Sequence, residues 1–117
     1  MTSLVACIGE GKGTWAHVSQ LIAGQDWEKV FLITNEFGKQ NFKPEKSAEI
    51  TVVNEEAGLQ EMIDAIKKTV DGKIFGDVAV NLISGNGKMH MATISALIQS
   101  GAGIRFVALT KDGIKEF

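Results

Sequence analysis

The hydrophobic and polar positions of the chain alternate in blocks that predict strands and helices in turn. Five apolar runs have the length of strands, and the first is apolar at every position, as in a strand buried on both faces. These runs are residues 4–8, 29–34, 49–53, 78–83 and 104–109. We therefore expect five strands, with the first near the centre of a sheet.

Three segments between these runs predict helices. Apolar residues recur at helical spacing from 15 to 22, where Thr14 can cap the helix start, and again from 59 to 70. Residues 89–100 form a third segment of helix length with little charge. Strands therefore alternate with helices along most of the chain.

Two segments predict no regular element. Residues 35–46 are polar and contain Gly38 and the only proline, Pro44, so they predict a long loop, which in a compact domain is often functional. Residues 110–117 predict a short tail after the fifth strand.

The alternation of elements predicts an α/β fold with a single Rossmann-like, doubly wound parallel sheet. We expect one domain that spans residues 1–117, with the strand order 3-2-1-4-5. In this order strands one and four are neighbours at the topological switch point, and ligands bind there, outside the carboxyl ends of the strands.

Two loops that combine glycine with lysine follow strands one and four. The predicted ligand-binding residues are Gly9, Glu10, Gly11, Lys12, Gly13 and Thr14 in the first loop, Asn35 after the second strand, and Ser84, Gly85, Asn86, Gly87, Lys88 and Met89 in and after the second loop. Glycine lets the backbone approach a ligand, and a helix start offers free N–H groups to an anion. Alternatively, the glycines only close tight turns and Lys88 is a solvated side chain.

Two common nucleotide-binding motifs fit poorly. Leu82 and Met89 stand where a Walker loop needs a glycine and a Ser or Thr, so a P-loop ATPase is not expected. The glycines at 9, 11 and 13 miss the dinucleotide spacing by one residue. A generic Rossmann nucleotide-binding protein stays open as an alternative.

Composition limits the choice of partners. The net charge of −2 argues against a broad contact with duplex nucleic acid, and no apolar run has the length of a membrane span. Cys7 is the only cysteine and predicts a small core residue in a protein of the reducing cytoplasm. The two histidines lack acidic or cysteine companions at metal-ligand spacing, so we expect no metal and no cofactor.

Some side chains allow a structural role as well as a role in the site. His17 is expected to be structural, because it lies within the first amphipathic helix, whereas His90 could line the site or lie on the surface. Trp15 is expected in the core or in a pocket wall. Phe37 and Phe42 could cover a bound base or only hold their loop in place.

Around the second loop the sequence resembles the CRISPR-associated Rossmann-fold (CARF) domains. That family carries a signature of the form Asn-x-Thr/Ser-Gly-Gly-Thr-Lys-Met after its fourth strand. Ser84, Gly85, Lys88 and Met89 match it, whereas Asn86 and Gly87 replace Gly and Thr, and Asn81 lies one residue early. The first loop also matches the family layout, so the resemblance covers essentially the whole chain.

The resemblance implies a homodimer that holds one cyclic oligoadenylate, the second messenger of type III CRISPR systems, across its two-fold axis. Two interpretations stay open. A ring nuclease would cleave the messenger without a metal, leaving a 2′,3′-cyclic phosphate, with Lys88, His90 and Thr14 as candidate catalytic residues and Lys12 as a helper. A binding-only module would sense or sequester the ring, or act through a separate effector chain.

Overall fold

The computed structural model describes residues 2–117, which form six strands and four α-helices around one sheet. The strands are β1 (Leu4–Ile8), β2 (Val30–Thr34), β3 (Glu49–Val52), β4 (Asp77–Asn81), β5 (Gly103–Thr110) and β6 (Gly113–Glu116). The helices are α1 (Trp15–Ala23), α2 (Glu36–Asn41), α3 (Leu59–Val70) and α4 (Gly87–Gln99). In the described part of the chain, no helix is long and apolar enough to span a membrane.

The strand order is β3-β2-β1-β4-β5-β6. The first five strands pair in parallel, which confirms the predicted order 3-2-1-4-5 for the core of the sheet. β1 lies between β2 and β4 and is buried along its whole length. The carboxyl ends of β1 and β4 are therefore adjacent, at the point where the chain changes direction across the sheet.

The prediction of a structureless tail after residue 109 was wrong. β5 continues to Thr110, and residues 113–116 return as β6, antiparallel to β5. Gly113 has a φ of +105°, which favours glycine, and the Thr110 hydroxyl donates to the Gly113 carbonyl at 2.8 Å. The sheet is therefore mixed.

The prediction of a long loop over residues 35–46 was also wrong, because α2 occupies its first half. The Asn35 side chain caps α2 by accepting a 2.8 Å hydrogen bond from the Gly38 amide. Gly38 is needed here since a Cβ at this position would overlap Thr34 Oγ1. Phe42 is buried against Trp15, with ring centroids 5.6 Å apart, and anchors the helix end.

Two element boundaries also differ from prediction. β4 ends at Asn81, because the Asn81 side chain donates to the Val107 carbonyl at 2.9 Å and accepts from the Ile83 amide at 3.3 Å. Helix α4 begins at Gly87 rather than Met89, since Asn86 caps it.

Each face of the sheet packs against its own helices. α3 and α4 cover the face that carries Val5 and Cys7, whereas α1 covers the face that carries Leu4, Ala6 and Ile8. The alternation of side chains along β1 thus supplies both cores. This packing fixes the strand ends that support the candidate site.

Candidate functional site

The two glycine-rich loops meet directly. The Gly9 amide donates to the buried Ser84 hydroxyl at 2.9 Å, and a Cβ on Gly9 would lie 2.7 Å from the Gly85 Cα. Gly85 itself has a φ of +99°, and its own Cβ would press on Met89 and His90. Because these backbones touch, a side chain at either position would force the loops apart.

Helix α4 starts at this junction, and its own side chains hold its first turn. Asn86 Oδ1 accepts from the Met89 amide at 2.9 Å, which satisfies one of the free N–H groups of the helix start. His90 Nε2 lies 2.7 Å from the Ser84 carbonyl, so this nitrogen donates. His90 therefore braces the loop that carries Gly85.

Two cavities adjoin at the carboxyl edge of the sheet. The smaller, of about 350 Å³, lies above the loop junction and is lined by Gly9, Glu10, Gly11, Thr14, Glu55, Ile83, Gly85 and Asn86. The larger, of about 460 Å³, is lined by Glu10, Asn35, Glu36, Phe37, Val52, Val53, Asn54, Glu55 and Glu56. Glu10 and Glu55 belong to both, so the two cavities form one crevice divided by these side chains.

Aromatic side chains hold the first loop from the outside. Trp15 Nε1 donates to the Gly9 carbonyl at 2.8 Å, and Trp15 packs against Phe37 with centroids 6.0 Å apart. The Lys12 ammonium lies over both rings, 5.6 Å from the Trp15 centroid and 5.5 Å from that of Phe37. Thr14 is the N-cap residue of α1, as predicted, but its hydroxyl donates to the Gly11 carbonyl at 3.3 Å and makes no capping hydrogen bond to the helix.

Glu55 connects the two sides of the crevice. Its carboxylate accepts a hydrogen bond from Asn35 Nδ2 at 3.0 Å and another from Asn86 Nδ2 at 2.6 Å. Asn35 Nδ2 also reaches the Glu10 carboxylate at 3.4 Å. The Lys88 ammonium donates to the backbone carbonyls of Glu55, at 3.1 Å, and Ala57.

The carboxylates are the feature that sequence reasoning missed. Glu36, Glu55 and Glu56 line the crevice together with the predicted Glu10. The sequence carries a signal for two of them, because residues 54–56 directly follow the third strand and the ends of parallel strands share one edge. The crevice is therefore acidic, whereas the prediction emphasised its lysines.

The predicted site residues fall into three groups. Seven line the crevice, namely Gly9, Glu10, Gly11, Thr14, Asn35, Gly85 and Asn86. Ser84 and Met89 are buried beneath it. Lys12, Gly13, Gly87, Lys88 and His90 flank the crevice without lining it. Within residues 2–117 there is no cluster of His, Cys, Asp and Glu that could hold a metal ion.

The remaining titratable candidates have structural roles. Cys7 is fully buried, and burial raises the pKa of its thiol to about 12, so the thiol stays protonated. His17 Nε2 lies 3.1 Å from Asn81 Nδ2 and 3.3 Å from the Leu109 amide. Since both partners are N–H donors, Nε2 accepts and the ring is neutral, and burial lowers the pKa of His17. Both predictions, a core cysteine and a structural His17, are confirmed.

The chain matches no protein-family model and no curated protein. The geometry of the crevice is therefore the main basis on which a function can be proposed.

Proposed function

We propose that the protein binds a cyclic oligoadenylate as a homodimer, at the crevice above β1 and β4. The observation that carries the proposal is the contact between the two glycine-rich loops, where Gly9 donates to Ser84 and approaches Gly85 backbone to backbone. Together with the sequence resemblance to CARF domains, this junction supports an anionic nucleotide ligand.

The crevice offers chemistry for the phosphates and for the bases. The start of α4 carries the positive end of the helix dipole, and two lysines flank the crevice, Lys12 in the loop after β1 and Lys88 in the first turn of α4. Half-exposed Ile83 and Phe37 supply apolar surface against which an adenine can pack. The amide groups of Asn35 and Asn86 can bond to ring nitrogens or to phosphate oxygens.

A symmetric ring favours a symmetric pair of sites, because each half of the ligand then meets an equivalent surface. Helix α4 carries an apolar stripe of exposed Met91 and Ile98 with half-buried Ile94 between them, and exposed Phe106 and Phe117 lie next to each other on β5 and just after β6. Residues 89–104 contain no Asp, Glu, Lys or Arg, so no like charges would oppose each other across a two-fold axis along this stripe. We propose that a second copy of the chain covers it.

The geometry supports binding without cleavage better than it supports a ring nuclease. Each candidate catalytic side chain already donates to a backbone carbonyl: Thr14 to Gly11, His90 to Ser84, and Lys88 to Glu55. Thr14 and His90 hold the loops in shape through these bonds, so neither side chain is free for acid–base chemistry on a scissile phosphate, whereas Lys88 offers a charge for binding. We therefore propose a sensor or sequestering module, whose output would pass to a separate effector chain.

Calorimetric titration with cyclic tri-, tetra- and hexa-adenylate tests the proposal, with NAD and AMP as comparison ligands. We expect saturable binding of one ring size at about one ring per two chains. Tight binding of NAD or AMP with no heat from any ring would favour a generic Rossmann nucleotide-binding protein instead.

Cleavage is tested separately by incubating the ring with the protein in EDTA and separating the products by chromatography. A ring that stays intact agrees with the binding module. Products that carry 2′,3′-cyclic phosphates would contradict it and favour the ring nuclease.

A further inference from the structure

We infer that the Glu55 carboxylate lies where a phosphate of an anionic ligand would bind in the crevice, and that such a ligand must displace it. The inference rests on the proposed function and assigns a regulatory role to the β3–α3 loop, residues 53–58. In this arrangement the Glu55 carboxylate takes the place of a ligand anion.

The partners of Glu55 are groups that suit an anion. Its two carboxylate oxygens accept from Asn35 Nδ2 at 3.0 Å and Asn86 Nδ2 at 2.6 Å. These amides come from the end of β2 and from the cap of α4, on opposite sides of the sheet's switch point. A carboxylate that bridges them resembles a phosphate in charge and in its paired acceptor oxygens.

The same loop keeps Lys88 engaged. The Lys88 ammonium donates to the carbonyls of Glu55 and Ala57, which are neutral acceptors. A phosphate is a stronger partner for an ammonium group because its oxygens carry a full charge. Movement of the loop would therefore release a cation as well as two amides.

Displacement of the loop would also make the crevice less negative. In the closed arrangement Glu10 and Glu55 lie so close that both reach Asn35 Nδ2, at 3.4 and 3.0 Å. Two carboxylates on one amide repel each other and repel an approaching anion. Without Glu55 the crevice loses one negative charge and gains access to the positive charge of Lys88.

The ligand supplies the free energy for this change by binding only the open arrangement. The closed loop then lowers the apparent affinity and selects ligands that carry enough phosphate to replace Glu55. A neutral nucleoside cannot do so, whereas a ring of linked phosphates can.

Comparison of Glu55→Ala with Glu56→Ala tests the inference, since both substitutions remove one negative charge from the same loop. Glu56 lines the crevice, whereas Glu55 bridges both amides. We expect Glu55→Ala to bind the preferred cyclic oligoadenylate about tenfold more tightly than wild type, because the ligand no longer breaks hydrogen bonds to a charged group. Glu56→Ala should change the affinity less than threefold. Equal gains in both variants, or weaker binding by Glu55→Ala, would overturn the inference.

Hydrogen exchange of the ligand-free variants gives a readout that does not require the proposed function. Amides of residues 55–58 should exchange faster in Glu55→Ala than in wild type or Glu56→Ala, since the loop loses its attachment to Asn35 and Asn86. Unchanged exchange would overturn the closed arrangement. If neither wild type nor Glu55→Ala binds any ring while exchange rises as expected, the proposed ligand fails but the loop closure stands.

Discussion

Gly9 and Gly85 exclude a side chain for different physical reasons. At Gly9 the backbone conformation suits any residue, but a Cβ would collide with the neighbouring loop. At Gly85 the positive φ of +99° already disfavours an L side chain. The junction of the two loops therefore depends on two independent constraints, a close backbone contact at Gly9 and a positive φ at Gly85. The sequence alone does not distinguish them, because both positions are simply glycine.

The proposed function requires that Lys88 contact a phosphate of the ligand. In the Glu55→Ala background, where the carboxylate no longer competes, Lys88→Ala should weaken ring binding by about 1.5–3 kcal/mol, the value of a charge-assisted hydrogen bond. Calorimetry measures the difference. Lys68→Ala, on the exposed side of α3, is the matched loss of charge and should leave affinity nearly unchanged. Equal losses in the two variants would show that Lys88 does not contact the ligand.

His17 predicts a pH dependence of stability. Its Nε2 accepts from Asn81 and from the Leu109 amide, so protonation would break both contacts. Burial lowers the folded-state pKa below the ordinary 6.5, and the unfolded chain therefore takes up the proton first as the pH falls. The free energy of unfolding should decrease as the pH drops below about 6.5 towards the folded-state pKa.

Urea unfolding of wild type and His17→Gln at several pH values between 7.5 and 5 measures this effect. The Gln amide oxygen can accept the same hydrogen bonds but does not titrate. His90 and the carboxylates remain in both proteins. A difference between the two proteins in how the free energy of unfolding changes with pH is therefore due to His17. Parallel pH profiles would contradict the assigned role.

At the scale of elements, the two wrong predictions share a cause. α2 and β6 are short, with 6 and 4 residues, and each depends on one glycine in a special setting. Gly38 lies inside α2 although glycine disfavours helices, because a Cβ there would meet Thr34 at the end of β2 and Ile8 of β1. Contacts of this kind, such as the one with Ile8, do not appear in local hydrophobic patterns, whereas the helical periodicity of α3 and the continuous apolar run of β1 were predicted correctly.

Substitution of Gly38 tests this explanation. Gly38→Ala places a methyl group on Thr34 and close to Ile8, so we expect a loss of about 1–3 kcal/mol in the free energy of unfolding, measured in urea. Gly13→Ala is the control, because a Cβ there meets open space. That variant should be neutral or slightly more stable. If Gly38→Ala leaves the free energy of unfolding unchanged, α2 can shift to accept the methyl group without loss of stability.

The glycines and the strand ends that form the crevice were predicted from the sequence. Most of the carboxylates that line it were not. The order of the strands follows from the alternation of elements, and it brings the loops of Gly9 and Gly85 together. The position of Glu55 depends on contacts of the β3–α3 loop with Asn35, Asn86 and Lys88, which are distant in the sequence. The contacts of Lys88 with the carbonyls of that loop could likewise not be read from the sequence, and its contact with a ligand stays a prediction.

At the scale of the whole molecule, charge and apolar surface are segregated. The crevice is acidic, whereas the stripe along α4 is uncharged, with Met91 58% and Ile98 62% exposed. Exposed apolar residues arranged along one helix are typical of an interface. The stripe begins in the first turns of α4, so a two-fold axis parallel to α4 would place the two helix starts, and with them the two crevices, side by side.

The double variant Met91→Glu and Ile98→Glu tests the interface by sedimentation equilibrium. Charges introduced on both sides of a two-fold axis should raise the dimer dissociation constant by about a hundredfold or more. Phe75→Glu is the control, because Phe75 is 83% exposed and precedes β4, at the opposite edge of the sheet. A dimer that tolerates the double variant as well as the control would place the interface elsewhere.

The most direct test of the central claim is to map the ligand by amide chemical shifts, using the ring that binds most tightly in calorimetry. We expect the largest shifts at Gly9, Gly11, Gly85 and Lys88, with further shifts in the β3–α3 loop as Glu55 is displaced. A separate cavity of about 320 Å³ at the opposite edge of the sheet, lined in part by Ser3, Lys29 and Phe75, is the internal comparison. Shifts that cluster there, with the two glycine-rich loops unperturbed, would contradict the account.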